Sequence, residues 1–144
     1  MNQKNSEQGS EVVFGCIPSR LFLDSALYID TVRAGIPGLW LARVALLSGI
    51  GKEIGKTLGM SEQRFEAACQ MDTLDTRTSE AVLEIARVLS VCFSVWESQA
   101  LGKAWLGCHV PALGEETPLS LMDTHEGRCW LMEVLRKIEG GDFS

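Results

Sequence analysis

The C-terminal third of the chain constrains the fold most strongly, because both ends of an amphipathic helix can be located there. Beyond Thr124 the apolar side chains recur at helical spacing, at Trp130, Leu131, Val134, Leu135 and Ile138. Asp123, followed three residues later by Glu126, predicts a capping box at the start of this helix. Gly140 and Gly141 predict its end, since glycine is favoured just past a helix C-terminus.

The rest of the chain also has the pattern of short helices separated by breaks. Apolar spacing and breaking residues predict helices over residues 24–32, 39–48, 52–58, 62–70 and 80–96. Ser61 is expected to cap the fourth of these helices, and Ser79 or Thr78 the fifth, because serine and threonine are favoured N-caps. Thr117 followed by Pro118 predicts the start of one more helical segment.

Length and charge limit the number of domains and the classes of partner. A chain of 144 residues forms one domain, or two small ones that share a core. The net charge of −6 argues against general binding to nucleic acids or anionic membranes. Residues 33–90 carry seven basic and seven acidic side chains, whereas residues 91–144 carry four basic and eight acidic ones. The middle of the chain is therefore the least unfavourable place for DNA, and the acidic end suits a basic protein partner.

The start of the chain and its cysteines indicate an unanchored, reduced protein. Residues 1–19 are expected to form a flexible leader, since residues 1–11 are polar and lack periodicity. Residues 12–17 are compatible with either a short strand or an extended strap over the helices. Five scattered cysteines without a CxxC pair, and no signal peptide, predict a cytoplasmic setting. The apolar runs 39–47 and 88–96 are too short to span a bilayer, so no membrane partner is expected.

Several segments together resemble one known family. They are RAGIPG at 33–38, EIGKTLGMSEQRF at 53–65, LDT at 74–76, ARVLSV at 86–91 and, most specifically, WL…PALG…TPLxLMDTxEG…IEGG within 97–141. Over roughly residues 33–144 the chain resembles the Xre/MbcA/ParS-type antitoxins. The resemblance implies an all-α fold, in which an Xre-like helix-turn-helix domain (20–90) is continuous with a C-terminal toxin-binding domain (91–144). Glu115 replaces the second glycine of the family's PALGG turn, which costs free energy only if that position needs a positive φ.

The function implied by the resemblance is that of a type II antitoxin, not an enzyme. Such a protein neutralises a RES-domain toxin, which consumes NAD by degradation or by ADP-ribosyl transfer. Its C-terminal segment occludes the toxin's active site without chemistry. The antitoxin, with the toxin bound, also binds operator DNA and represses its own operon. The resemblance further implies a homodimer within a hetero-oligomer, because helix-turn-helix proteins commonly read two half-sites through two-fold symmetry.

The candidate DNA-binding residues lie on the two short helices of the helix-turn-helix. Ser61, Gln63 and Arg64 occupy the first turn of its second helix and are candidates for contacts in the DNA groove. Lys52 and Lys56 are four residues apart on the preceding helix and could hold phosphates. The competing interpretation is that these side chains form an ordinary solvated face.

The candidate toxin-binding residues end the chain. They are Arg136, Lys137, Glu139, Gly140, Gly141, Asp142, Phe143 and Ser144. The simpler interpretation of Arg136 and Lys137 is that they complement the negative end of the helix dipole. Phe143 is a large aromatic residue with little core of its own to enter, which favours a partner.

Catalytic and metal sites are not expected, and neither is a cofactor. Four potential zinc ligands, Cys108, His109, His125 and Cys129, lack the tight pairs from two loops that zinc sites usually show. The glycine-rich stretch 49–52 lacks the residues of a phosphate-binding loop. Two alternatives to an antitoxin remain: a stand-alone helix-turn-helix repressor without a toxin partner, and a structural helical adaptor.

Overall fold

The part of the chain that the structure describes begins with a short hairpin and continues as a series of helices. The computed structural model describes residues 11–141. The hairpin pairs β1 (Val12–Val13) with β2 (Ile17–Pro18) in antiparallel register. The helices are α1 (Ser25–Ala34), α2 (Gly38–Ser48), α3 (Gly51–Thr57), α4 (Glu62–Cys69), α5 (Thr76–Val95), α6 (Gln99–Leu106) and α7 (His125–Glu139). Single 3-10 turns cover Ser19–Phe22, Pro111–Leu113 and Pro118–Leu121. This part of the chain is mostly helical, as the predicted all-α class requires.

Three side chains cap helical segments by accepting a backbone N–H, and two of them, Ser61 and Thr117, were predicted as caps. Asp24 caps α1 by accepting a hydrogen bond from the backbone N–H of Leu27. Ser61 caps α4 as predicted. Thr117 also acts as an N-cap, and its hydroxyl accepts from the N–H of Ser120, but the helix that follows is a single 3-10 turn.

Two predicted caps are wrong. Helix α5 starts one turn earlier than expected, because Asp75 accepts from the N–H of Thr78 at 2.7 Å and so caps the helix itself. Ser79, expected as a possible cap, is fully buried inside the helix instead. At the start of α7 the cap is Thr124, which accepts from the N–H of Gly127, so the capping box predicted for Asp123 does not form.

Helix α5 lies at the centre of the fold. It packs most extensively against α7, and it also contacts α1, α2 and α6. One continuous hydrophobic core runs from the hairpin to α7, with fully buried side chains at Ile17, Ile36, Leu41, Ile54, Leu83, Leu89, Leu106, Leu113, Leu131 and Leu135. Each such side chain contributes about 1.5–3 kcal/mol of transfer free energy. Residues from both predicted halves of the chain therefore share a single core.

The segment before α1 takes the strand alternative. Residues 12–18 form the hairpin, and its Ile17 side chain is fully buried. Residues 1–10 of the predicted leader lie outside the described residues. No helix between residues 11 and 141 combines the length and the apolar character needed to cross a bilayer.

Candidate functional site

Helices α3 and α4 are joined by a tight turn that glycine makes possible. Gly59 has a φ of 69°, and its N–H donates to the carbonyl of Lys56 at 2.9 Å. The N–H of Met60 reaches back to the carbonyl of Gly55 at 3.0 Å. These two bonds form a Schellman motif, which ends α3 and reverses the chain direction within three residues.

Helix α4 packs with its inner face against α2 and also contacts α3. The ring of Phe65 lies over Gly55, so that a side chain added there would be in van der Waals contact with the ring. Ala68 is buried on the same face. At the N-terminus the hydroxyl of Ser61 accepts from the N–H of Arg64 at 3.2 Å. The N-terminus and the inner face of α4 are therefore fixed. Its outer face is exposed to solvent.

The five predicted DNA-binding residues are all exposed, but only three of them line one groove. Lys52, Lys56 and Ser61 border a groove of about 450 Å³ between α3 and α4. Gln63 and Arg64 are exposed on α4 outside this groove. Two glutamates, Glu62 and Glu66, line the groove with the lysines. Its charge is therefore mixed, which weakens the attraction for phosphate compared with a purely basic groove.

The predicted toxin-binding residues occupy the exposed end of α7. Leu131 and Leu135 bury the inner face of this helix, whereas Arg136, Lys137, Glu139, Gly140 and Gly141 are exposed. The N–H groups of Gly140 and Gly141 bond the carbonyls of Arg136 and Ile138, and Gly141 has a φ of 76°, so the helix ends there. Asp142, Phe143 and Ser144 lie outside the described residues. The predicted DNA-binding lysines and Arg136 line different grooves.

Sequence reasoning missed a polar cluster between α5 and α7. The guanidinium of Arg128 donates from Nη1 to the carbonyl of Met122 at 2.8 Å, and its Nη2 lies 3.5 Å from Oε2 of Glu84. The other carboxylate oxygen of Glu84 contacts Nδ1 of His125. Nε2 of the same ring lies 3.4 Å from Sγ of Cys129. The four side chains thus form a chain of contacts across the junction of the two helices.

Burial makes this cluster important for the α5–α7 junction. The side chain of Arg128 is only 9% exposed and that of Glu84 15%, whereas His125 is 68% exposed. Among the described residues, Nε of Arg128 has no hydrogen-bond partner. Removal of Glu84 would leave a buried guanidinium without its counter-charge, which is costly.

Two ionisable groups next to the cluster have shifted pKa values. Burial, followed by the charges of Glu84 and Glu80, raises the pKa of Tyr28 to about 12. Burial and the carboxylates of Glu84 and Glu126 raise the pKa of the Cys129 thiol. Both groups are therefore protonated at neutral pH.

Two grooves meet at the cluster. The larger, of about 510 Å³, extends towards the α3–α4 turn and includes Leu58 and Met60 in its lining. The smaller, of about 360 Å³, extends along α7 towards Arg136. Four side chains line both grooves: Glu80, Glu84, His125 and Arg128. The polar cluster is therefore accessible to ions and small solutes from two sides.

Only part of this cluster could have been found from the sequence. The helical spacing of His125 and Cys129 places them on one face, as the sequence indicates. Glu84 is 41 residues away from His125 and joins it only because α5 packs against α7. Arginine is rarely buried, so the position of Arg128 carries no sequence signal either.

Comparison with known proteins adds no family assignment. No family model matches the chain, and no curated protein shows significant sequence similarity to it.

Proposed function

We propose that this protein is a type II antitoxin that binds a RES-domain, NAD-consuming toxin and blocks its active site. The observation that carries the proposal is the exposed last turn of α7, from which the end of the chain continues past Gly141. The resemblance of the segment 97–141 to Xre/MbcA/ParS-type antitoxins supplies the identity of the partner.

Neutralisation follows from occlusion of the toxin's nucleotide pocket. The segment proposed to dock into the toxin is the end of the chain from Arg136 onwards. The helix that carries it, α7, is fixed in position, because Thr124 caps it and Leu131 packs into the core. A segment presented from a fixed helix loses less conformational entropy on binding than a free peptide does. Arg136 and Lys137 would occupy positions where the toxin holds NAD phosphates, or pair with a catalytic carboxylate. Glu139, Gly140, Gly141, Asp142, Phe143 and Ser144 complete the docking segment.

The second proposed activity is binding to operator DNA through α3 and α4. Lys52 and Lys56 would contact phosphates, while Gln63 and Arg64 would reach base edges. The mixed charge of the α3–α4 groove predicts weak, salt-sensitive binding by one chain alone. A homodimer with the toxin bound would contact both half-sites of the operator at once, which would increase the affinity for DNA.

The proposal is tested by charge reversal at the end of α7. The chain is expressed with the product of the neighbouring gene, only the neighbour is tagged, and retention of this chain and NAD consumption by the neighbour are measured. We expect the wild type to be retained and the NAD-consuming activity to appear only after this chain is stripped off. The double substitution Arg136→Glu, Lys137→Glu should weaken the complex by about ten-fold or more and release the activity.

The matched control is Arg33→Glu. Arg33 is likewise an exposed cation in the last turn of a helix, so its reversal also removes a favourable interaction with a helix dipole, with one cation replaced instead of two. Arg33→Glu should leave the complex intact. Equal retention of the Arg136/Lys137 variant, or a neighbour without NAD-consuming activity, would contradict the proposal.

A stand-alone repressor remains the alternative, and the α3–α4 geometry is the observation that favours it. In an antitoxin, removal of Gly140–Ser144 should abolish neutralisation and leave the operator binding of the toxin-free chain unchanged. The double substitution Lys52→Glu, Lys56→Glu should abolish operator binding and leave neutralisation of the toxin unchanged. If the truncation has no effect in any assay while the lysine variant loses operator binding, the protein is a repressor alone.

A further inference from the structure

We propose that Glu84, His125 and Cys129 bind a zinc ion at the junction of α5 and α7. One donor atom from each side chain lies within 4.8 Å of the other two. Carboxylate oxygen, imidazole nitrogen and thiolate sulfur are the three donors that proteins offer to zinc. The presence of sulfur and nitrogen favours zinc over magnesium or calcium, which prefer oxygen alone.

One of the donor separations already matches that of a tetrahedral zinc site. Bonds of about 2.0–2.3 Å to nitrogen, oxygen and sulfur place neighbouring donors about 3.5 Å apart. Nε2 of His125 and Sγ of Cys129 are already 3.4 Å apart. The carboxylate of Glu84 contacts the other nitrogen of the ring, and it must turn from there towards the ion. The His125 side chain is 68% exposed, so its ring is free to rotate and face both partners.

The three ligands come from two helices whose relative position is set by the core. His125 and Cys129 are one helical turn apart on α7, and Glu84 lies opposite them on α5. Leu83 of α5 and Leu131 of α7 are fully buried in the shared core, and the two helices pack extensively against each other. The two helices that carry the ligands are thus already in place, and only the side chains of Glu84 and His125 must turn to bind the ion, which lowers the entropy cost of binding.

Arg128 would contact a ligand of the zinc ion without binding the ion itself. Its Nη2 lies 3.5 Å from Oε2 of Glu84, which orients the carboxylate and leaves Oε1 directed towards His125. Charged contacts of this kind to a ligating carboxylate commonly tune metal sites. The groove around the site balances three carboxylates against three guanidinium groups: Glu80, Glu84 and Glu133 against Arg87, Arg128 and Arg136. A water molecule would take the fourth, open position.

Zinc would couple α5 to the helix that presents the end of the chain. The ion would join the two helices by bonds to side chains 41 or more residues apart in sequence, and so stabilise the folded state. This inference does not rest on the proposed toxin or DNA partners, because zinc binding can be measured on the full chain alone.

The test uses the purified full-length chain, freed of metal, with Zn²⁺ as the ligand. Affinity and stoichiometry are measured by competition with a chromophoric chelator, and coordination by the spectrum with Co²⁺ in place of Zn²⁺. We expect one zinc per chain, a raised melting temperature, and a thiolate-to-cobalt charge-transfer band with the visible bands of tetrahedral Co²⁺. His125→Ala and Cys129→Ser should each weaken binding by about ten-fold or more, and Cys129→Ser should remove the charge-transfer band.

The chain offers its own control in Cys108 and His109, an exposed cysteine and histidine outside the site. The variant Cys108→Ser, His109→Ala should bind zinc as the wild type does. Glu84→Gln should also weaken binding, and circular dichroism checks that this variant stays folded. Half a zinc per chain, equal affinity in all variants, or loss of affinity only in the Cys108/His109 variant would overturn the proposal. Equal affinity in all variants would indicate an adventitious ion only, whereas loss only in the Cys108/His109 variant would place the ion at that pair instead.

Discussion

Replacement of the buried serine of α5, Ser79→Ala, should destabilise the protein without changing its helix content. Oγ of Ser79 accepts from the N–H of Ile36 at 2.9 Å and donates to the carbonyl of Leu74 at 3.3 Å. Ser79 is 0% exposed, so water cannot replace the hydroxyl without rearrangement of the core. The substitution therefore leaves a buried backbone N–H without its partner.

The magnitude follows from two opposing contributions. An unpaired buried donor costs about 1–3 kcal/mol. Alanine is a better helix former than serine and returns about 0.5 kcal/mol. The expected net loss of unfolding free energy is about 1.5 kcal/mol, which for a chain of this length lowers the melting temperature by roughly 5 °C.

Urea denaturation followed by circular dichroism measures this loss by linear extrapolation. The matched control is Ser94→Ala, which removes an exposed hydroxyl from the same helix. It should change the unfolding free energy by no more than about 0.5 kcal/mol. If Ser79→Ala costs no more than its control, the reasoning is refuted, because the two buried hydrogen bonds would then contribute nothing.

Three further predictions concern caps and turns. The hydrogen bond from the N–H of Thr78 lowers the pKa of Asp75, so this carboxylate stabilises the fold above its unfolded pKa and loses that contribution as the pH falls through the folded one. Asp75→Asn keeps a capping side chain but should abolish this acid dependence in unfolding experiments between neutral and acidic pH. Glu115 has a φ of 67°, so Glu115→Gly should raise the unfolding free energy by about 0.5 kcal/mol. Gly127→Ala would place a Cβ 1.8 Å from the carbonyl oxygen of Leu121 and should cost about 3 kcal/mol, whereas Gly140→Ala, where the nearest atom is 3.5 Å away, should be neutral or stabilising.

Each of these predictions has a clear contrary result. An Asp75→Asn variant with the same acid sensitivity as the wild type would show that other carboxylates dominate. A destabilised Glu115→Gly variant would mean that the turn gains more from chain stiffness than it loses through the positive φ. Equal stability of the Gly127 and Gly140 variants would mean that the 3-10 turn before α7 moves freely to make room.

The effect of Glu115 on stability depends on its backbone conformation, which the sequence does not give. The departure from the glycine of the PALGG turn is visible in the sequence, but its cost depends on the backbone angle. The positive φ of Glu115 shows that this residue takes the conformation in which glycine is favoured.

Elements of the fold that depend on neighbouring residues can be predicted from the sequence. The helical class, the cap at Ser61 and the buried face of α7 at Leu131, Val134 and Leu135 all depend on residues within one or two helical turns of each other, whereas Trp130 of the predicted stripe is exposed. Backbone hydrogen bonding and helical periodicity act over that range, so pattern reasoning locates such elements well.

Which polar side chains are buried depends on the tertiary packing. Asp75 and Ser79 are both plausible caps, and only the packing of residues 36 and 74 against α5 turns Ser79 inwards. Arg128 is buried, and Glu84 meets His125, because α7 lies along α5. These contacts join residues far apart in the chain, and burial of the shared apolar core brings them together, so no local pattern of residues specifies them.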